Sequence, residues 1–130
     1  MLKVGLIGIG FMGRGHLDNY IRLESEGFPV KLVAICDIDE DKFQNKFVPG
    51  NIDVGNAKYD FSKYNLYTDI DEMLDKEELD YVDIALPTYL HAEAAVKALN
   101  KGINVLCEKP MALNTEQCQA MIDAAEKNNK

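Results

Sequence analysis

Lys3-Val4-Gly5-Leu6-Ile7-Gly8-Ile9-Gly10-Phe11-Met12-Gly13 decides how the rest of the chain is read. Lys3 to Ile7 is a short, largely apolar run stopped by Gly8, the pattern of a buried strand. Met12 to Ser25 follows as a helix with Leu17, Ile21 and Tyr20 assigned to its inner face, and Gly27 and Pro29 break it. Between strand and helix the glycines fall in a G-x-G-x-x-G pattern. Alone that pattern is weak; directly after a strand and opening a helix it reads as a turn built to hold phosphate. Gly8 permits the tight turn, Gly10 lets a pyrophosphate approach the backbone, and Gly13 lets helix and strand pack closely. The peptide groups from Gly10 through Phe11 and Met12 to Gly13 are the expected donors.

Outward from this stretch the same alternation continues. Val30 to Cys36 is a second strand, Tyr81 to Leu86 another, stopped by Pro87, and Asn104 to Cys107 a further one. Asp39 to Phe47 reads as a short helix, and Thr68 with Asp71 as a capping box opening a helix over Asp69–Leu74. Tyr89 to Asn100 carries Ala92, Ala95, Val96 and Leu99 at helical spacing and ends at Lys101-Gly102. Asn114, with Gln117 three residues on, caps a last helix over Thr115–Lys127. Strands alternating with helices imply an α/β fold, a Rossmann-type doubly wound parallel sheet. Val48 to Asn65 has no clear period and is long for such a connection. It reads as a surface excursion pinned by Tyr59, Phe61 and Tyr64, the alternative being a flap or a partner contact.

Asp37, at the end of the second strand and 24 residues past Gly13, stands where a carboxylate accepts the ribose hydroxyls of a dinucleotide. It would repel a 2′-phosphate, so the expected cofactor is NAD rather than NADP. A plain capping Asp is the competing reading, since Asp39 and Asp41 follow closely.

The bulk numbers set limits. A chain of 130 residues fits one domain, and 14 basic against 22 acidic residues leave a net charge of −8. That balance argues against nucleic acid, which requires clustered cations. No apolar stretch approaches the ~20 residues of a membrane span, and the N-terminus lacks a signal-peptide layout. Three cysteines cannot complete a disulfide framework. In a 3-2-1-4-5 strand order Cys36 and Cys107 sit about 14 Å apart, beyond the about 7 Å a disulfide bridges. Reduced thiols and a cytoplasmic location are expected.

Glu108-Lys109-Pro110 ends the strand Asn104–Cys107, at the sheet edge where open α/β folds bind ligands. Pro110 biases Lys109 toward extended backbone. Taken with Gly8–Gly13 and Pro87-Thr88-Tyr89-Leu90-His91, the run Gly102-Ile103-Asn104-Val105-Leu106-Cys107-Glu108-Lys109-Pro110 resembles the glucose–fructose oxidoreductase/inositol dehydrogenase (Gfo/Idh/MocA) family over nearly the whole chain. The resemblance implies an oxidoreductase moving a hydride between NAD and a sugar, inositol or related polyol. It implies that Lys109 is catalytic, beside the reacting carbon, and that Leu86, Pro87 and His91 line the nicotinamide-ribose side, with Glu108 next to them. For His91 a cap or an exposed position is the alternative; His16 reads as an ordinary helix residue. Thr88 stands where Asn is commoner in the family and keeps its hydrogen-bonding capacity.

The resemblance also implies a second α/β domain with the substrate pocket and a catalytic His, and a homo-oligomer. Residues 1–130 are therefore expected to be the dinucleotide domain alone, truncated before its last strand and inactive by itself. Two further readings stay open: a reductase for a non-sugar substrate such as a dihydrodiol, an amino-acid-derived imine or a biliverdin-like molecule, and a non-enzymatic regulator that keeps the nucleotide site.

Overall fold

The computed structural model describes residues 1–45 and 59–130. Its organising element is β1 (Leu2–Ile7), whose Val4, Leu6 and Ile7 are buried. An apolar strand with no polar face has to lie inside a sheet covered on both sides. β1 does so, paired in parallel with β2 (Val30–Cys36) on one side and β4 (Tyr81–Ile84) on the other. β3 (Asn65–Tyr67) extends the sheet beyond β2, and β5 (Asn104–Cys107) beyond β4, giving the order β3-β2-β1-β4-β5 with every pairing parallel.

Each face has its own core. On one, α1 (Phe11–Ser25) lays Leu17 and Tyr20 on Val4, Leu6, Leu32 and Ile35. On the other, α2 (Ile70–Lys76), α3 (His91–Asn100) and α4 (Thr115–Lys127) cover Ile7, Ala34, Val82 and Ile84, with small Ala94, Ala95 and Ala98 letting α3 approach closely. α3 ends where Gly102 takes a positive φ of 75°, its N–H donating to Leu99 O. The α4 capping box forms as expected: Asn114 Oδ1 accepts from Gln117 N–H at 2.9 Å, and Gln117 Oε1 from Leu113 N–H at 3.1 Å.

Several expectations are corrected. β3 was not foreseen: it has three residues, none buried, so it carries no apolar period. Asp69, not Thr68, caps α2, its carboxylate accepting from Glu72 N–H at 2.8 Å. The helix expected from Asp39 is a 3-10 turn, Glu40–Gln44, capped by Asp39. β4 stops at Ile84, and α3 begins at His91 after a 3-10 turn over Thr88–Leu90. Ile21, assigned to the inner face of α1, is 43 % exposed. Tyr59 and Phe61 are buried against the α1 face and Tyr64 packs on it, as expected, while Val48 to Lys58 lie outside the described residues. All three cysteines are free, and β1 and β4 separate Cys36 from Cys107.

Candidate functional site

The site grows from the turn between β1 and α1. Gly8 holds a φ of +91°, and a Cβ there would stand 2.8 Å from the Ala85 carbonyl oxygen. A Cβ on Gly13 would lie 1.9 Å from the Gly8 carbonyl oxygen, so α1 starts pressed against the turn. Gly10 is the opposite case: nothing lies within 4 Å of where its Cβ would be. It is the N-cap of α1 and offers no side-chain cap. The first N–H groups of the helix therefore lack an intrahelical partner and open onto unobstructed backbone, a cradle suited to an anion. Phe11 is half-buried there and Met12 exposed. The donor chemistry and the clear approach over Gly10 fit a dinucleotide pyrophosphate.

Asp37 follows β2 and is 4 % exposed. Ile9 N–H donates to its Oδ2 at 2.9 Å and Asp39 N–H to its Oδ1 at 2.9 Å, while Lys42 Nζ sits 3.1 Å from Oδ2. The carboxylate thus ties the glycine turn to the end of β2. A carboxylate accepts about four hydrogen bonds, so one acceptor position remains for a ligand hydroxyl unless Lys42 withdraws. A cleft of about 210 Å³ opens beside it, lined among others by Asp37, Ile38, Thr68, Leu86 and Leu90. Cys36 also borders this cleft; burial pushes its thiol up to about 12, which leaves it unreactive at neutral pH.

The far end of the site is made by the loops after β4 and β5. His91 is 1 % exposed, with Nε2 2.7 Å from Leu86 O and Nδ1 2.9 Å from Pro110 O. It is not exposed: its backbone N–H closes the Thr88–Leu90 turn on Thr88 O, and its ring is enclosed between the Leu86-Pro87 segment and Pro110. Lys109 is exposed, its N–H donates to Glu108 Oε2 at 3.1 Å, and the Lys109–Pro110 peptide is cis. Among the described residues no carboxylate oxygen stands within 4.0 Å of the Lys109 ammonium, though its charge helps hold Glu108 low.

His16 is not the ordinary helix residue its sequence context suggests. Its Nδ1 lies 2.8 Å from Asp83 Oδ2 and 3.0 Å from Oδ1, and its Nε2 lies 2.8 Å from Glu108 Oε1. Tyr20 OH donates to Asp83 Oδ2 at 2.9 Å and meets Tyr81 OH at 3.1 Å. The bond to Asp83, joined by the Glu108 carboxylate and opposed by burial, holds the imidazole up at about 9, so it is an imidazolium at neutral pH. On the ring's other side, the hydrogen bond from His16 Nε2 holds Glu108 below the usual carboxylate range. A signal did exist: Asp83 interrupts a buried apolar strand and must find partners, and His16 and Tyr20, four apart on α1, share a face. Asp37, Leu86, Glu108 and Lys109 thus all lie along the C-terminal edge of the sheet, with the Gly8–Gly13 turn between the two ends.

With known proteins the likenesses run in one direction. The family model described as "Oxidoreductase family, NAD-binding Rossmann fold" matches residues 2–130. The inositol 2-dehydrogenase of Salmonella typhimurium is 35% identical over 129 residues, covering 99% of this chain and 34% of that protein. Levoglucosan dehydrogenase of Pseudarthrobacter phenanthrenivorans is 33% identical over 129 residues, covering 98% of this chain and 31% of its own. The crystal structure of myo-inositol 2-dehydrogenase from Lactobacillus plantarum superposes with a TM-score of 0.78 at 29% identity, over 98% of this chain and 33% of that one. The chain spans about a third of the length of these relatives.

Proposed function

The chain belongs to the Gfo/Idh/MocA oxidoreductase family, and on that premise we propose that it holds NAD for hydride transfer to or from a sugar, inositol or related polyol. The observation that carries this reading is the shared sheet edge: an open anion cradle at Gly10, a carboxylate at Asp37 and an exposed ammonium at Lys109. The N–H groups of Gly10, Phe11, Met12 and Gly13 hold the pyrophosphate. Asp37 accepts a ribose hydroxyl and its charge disfavours a 2′-phosphate. Leu86 and Pro87 wall the nicotinamide side, held in place by His91, and Glu108 borders the same end. NAD, when bound, supplies the hydride acceptor or donor.

Lys109 is then the catalytic residue of this chain. Its ammonium hydrogen-bonds the substrate oxygen and stabilises negative charge that develops there, without having to be desolvated from a salt bridge first. The substrate pocket and a proton-transferring partner belong to a second domain, as the threefold greater length of the relatives supports. No described helix is long and apolar enough to cross a membrane. Three free cysteines support a cytoplasmic location.

Two measurements test this. Calorimetric titration of the 130-residue chain should register binding of NAD in preference to NADP; tighter binding of NADP overturns the assignment of Asp37. In the full-length protein Lys109→Ala should lower kcat by roughly 100-fold while NAD affinity changes far less. A variant that loses NAD binding but turns over normally at saturating cofactor would make Lys109 a cofactor clamp instead.

A further inference from the structure

We propose that His16 is a positioning residue: clamped between Asp83 and Glu108, it orients the Glu108 carboxylate and, through it, the backbone of Lys109. The proposal rests on the reading of Lys109 as the reacting end of the site.

The geometry forms one continuous line. Asp83 sits inside the sheet on β4, 2 % exposed, with both oxygens on His16 Nδ1 and Oδ2 also on the Tyr20 hydroxyl. His16 Nε2 carries the line across to Glu108 Oε1, and Glu108 Oε2 accepts the Lys109 N–H. The Glu108 N–H is anchored on the carbonyl of Ile84, the last residue of β4 and two residues before Leu86. Every hydrogen of the doubly protonated ring is used, and each carboxylate keeps an orientation that the ring dictates. A group meant only to neutralise Asp83 would not need its second nitrogen aimed at the residue beside Lys109. A side chain held at both ends by charge-assisted bonds loses rotamer freedom, which is what a residue next to a reacting centre requires.

The groups facing His16 are few. Asp83 comes from β4 and Glu108 from the loop after β5; the Tyr20 hydroxyl, on His16's own helix, reaches it through Asp83, and Tyr81 stands behind Tyr20. When the ring loses its second proton it can donate to only one carboxylate, so the line from Asp83 to Lys109 is broken at one of its two joints.

The experiment is an NMR titration of the isotopically labelled 130-residue chain, following the imidazole nitrogens of His16 and the amide of Lys109 together. The Lys109 amide is expected to shift with the same midpoint as His16, near 9, and to lose that step in His16→Gln. Should His16→Gln fail to fold, Glu108→Met, at a partly exposed position, severs the joint without emptying the interior and should abolish the same step. A Lys109 amide that ignores the His16 titration, or a step that survives in Glu108→Met, overturns the proposal. Calorimetric NAD binding on the same sample reports separately on the function: a chain that couples His16 to Lys109 but binds no NAD keeps this inference about the backbone and defeats the reading of the site.

Discussion

Asp37 and Asp83 are both buried carboxylates at the C-terminal half of the sheet, one beside each neighbour of β1, yet they are satisfied in opposite ways. Asp37 takes two backbone N–H groups, from Ile9 and Asp39, and an ammonium from Lys42 in the next turn. Asp83 takes only side chains, His16 and Tyr20, both brought in by α1 from across the sheet. The first carboxylate organises a loop and borders an open cleft; the second lies under a helix and joins two layers. The same chemical group is thus a ligand-facing fixture in one place and an internal tie in the other, according to where its partners come from.

The contrast breaks most visibly by substitution. Asp83→Asn leaves the imidazolium of His16 with Glu108 alone and is expected to cost about 3 kcal/mol or more of unfolding free energy, the usual penalty for removing one side of a buried charge pair. Urea unfolding of the chain measures it. A loss no greater than that of Asp37→Asn would mean that the two sites do not differ as described. Asp37→Ser should act in the other currency: NAD affinity is expected to fall about tenfold, the worth of a charge-assisted hydrogen bond, with its margin over NADP narrowed. Calorimetry with both cofactors checks it.

The same comparison is sharpened through pH. His16 has its raised value, about 9 against 6.5, only when folded. Its contribution to stability is therefore full below 6.5 and is lost as pH rises through about 9. The urea midpoint should decline across that window in the wild type and stay level across it in His16→Gln. Smallest of all, Lys42→Met frees an acceptor position on Asp37 and removes a cation from beside the ribose subsite. NAD should gain over NADP by roughly threefold, the scale of a partly exposed ion pair; a shift toward NADP would place Lys42 among the ribose-binding groups.

How much of this was legible in the sequence follows the same division. Gly8, Gly10, Gly13 and Asp37 act through backbone geometry and near neighbours, and each announces itself by spacing along the chain. The four apolar strands and the Gln117 capping box were readable for the same reason. β3 was not, because three unburied residues at a sheet edge need no apolar pattern. Thr68 reads as the cap because the residue types of 68 and 71 match a capping box, but the helix starts one residue later than that box requires, with Asp69 as its cap. His16 was passed over because its partners stand 67 and 92 residues away, and only the assembled sheet brings them within reach.

The His91 ring carries one more consequence. Its two nitrogens rest on Leu86 O and Pro110 O, so the ends of β4 and β5 are joined through a flat, incompressible spacer. A neutral ring carries one N–H, so it donates to one of these carbonyls and merely abuts the other. The spacing of the two loops is set by the width of an imidazole.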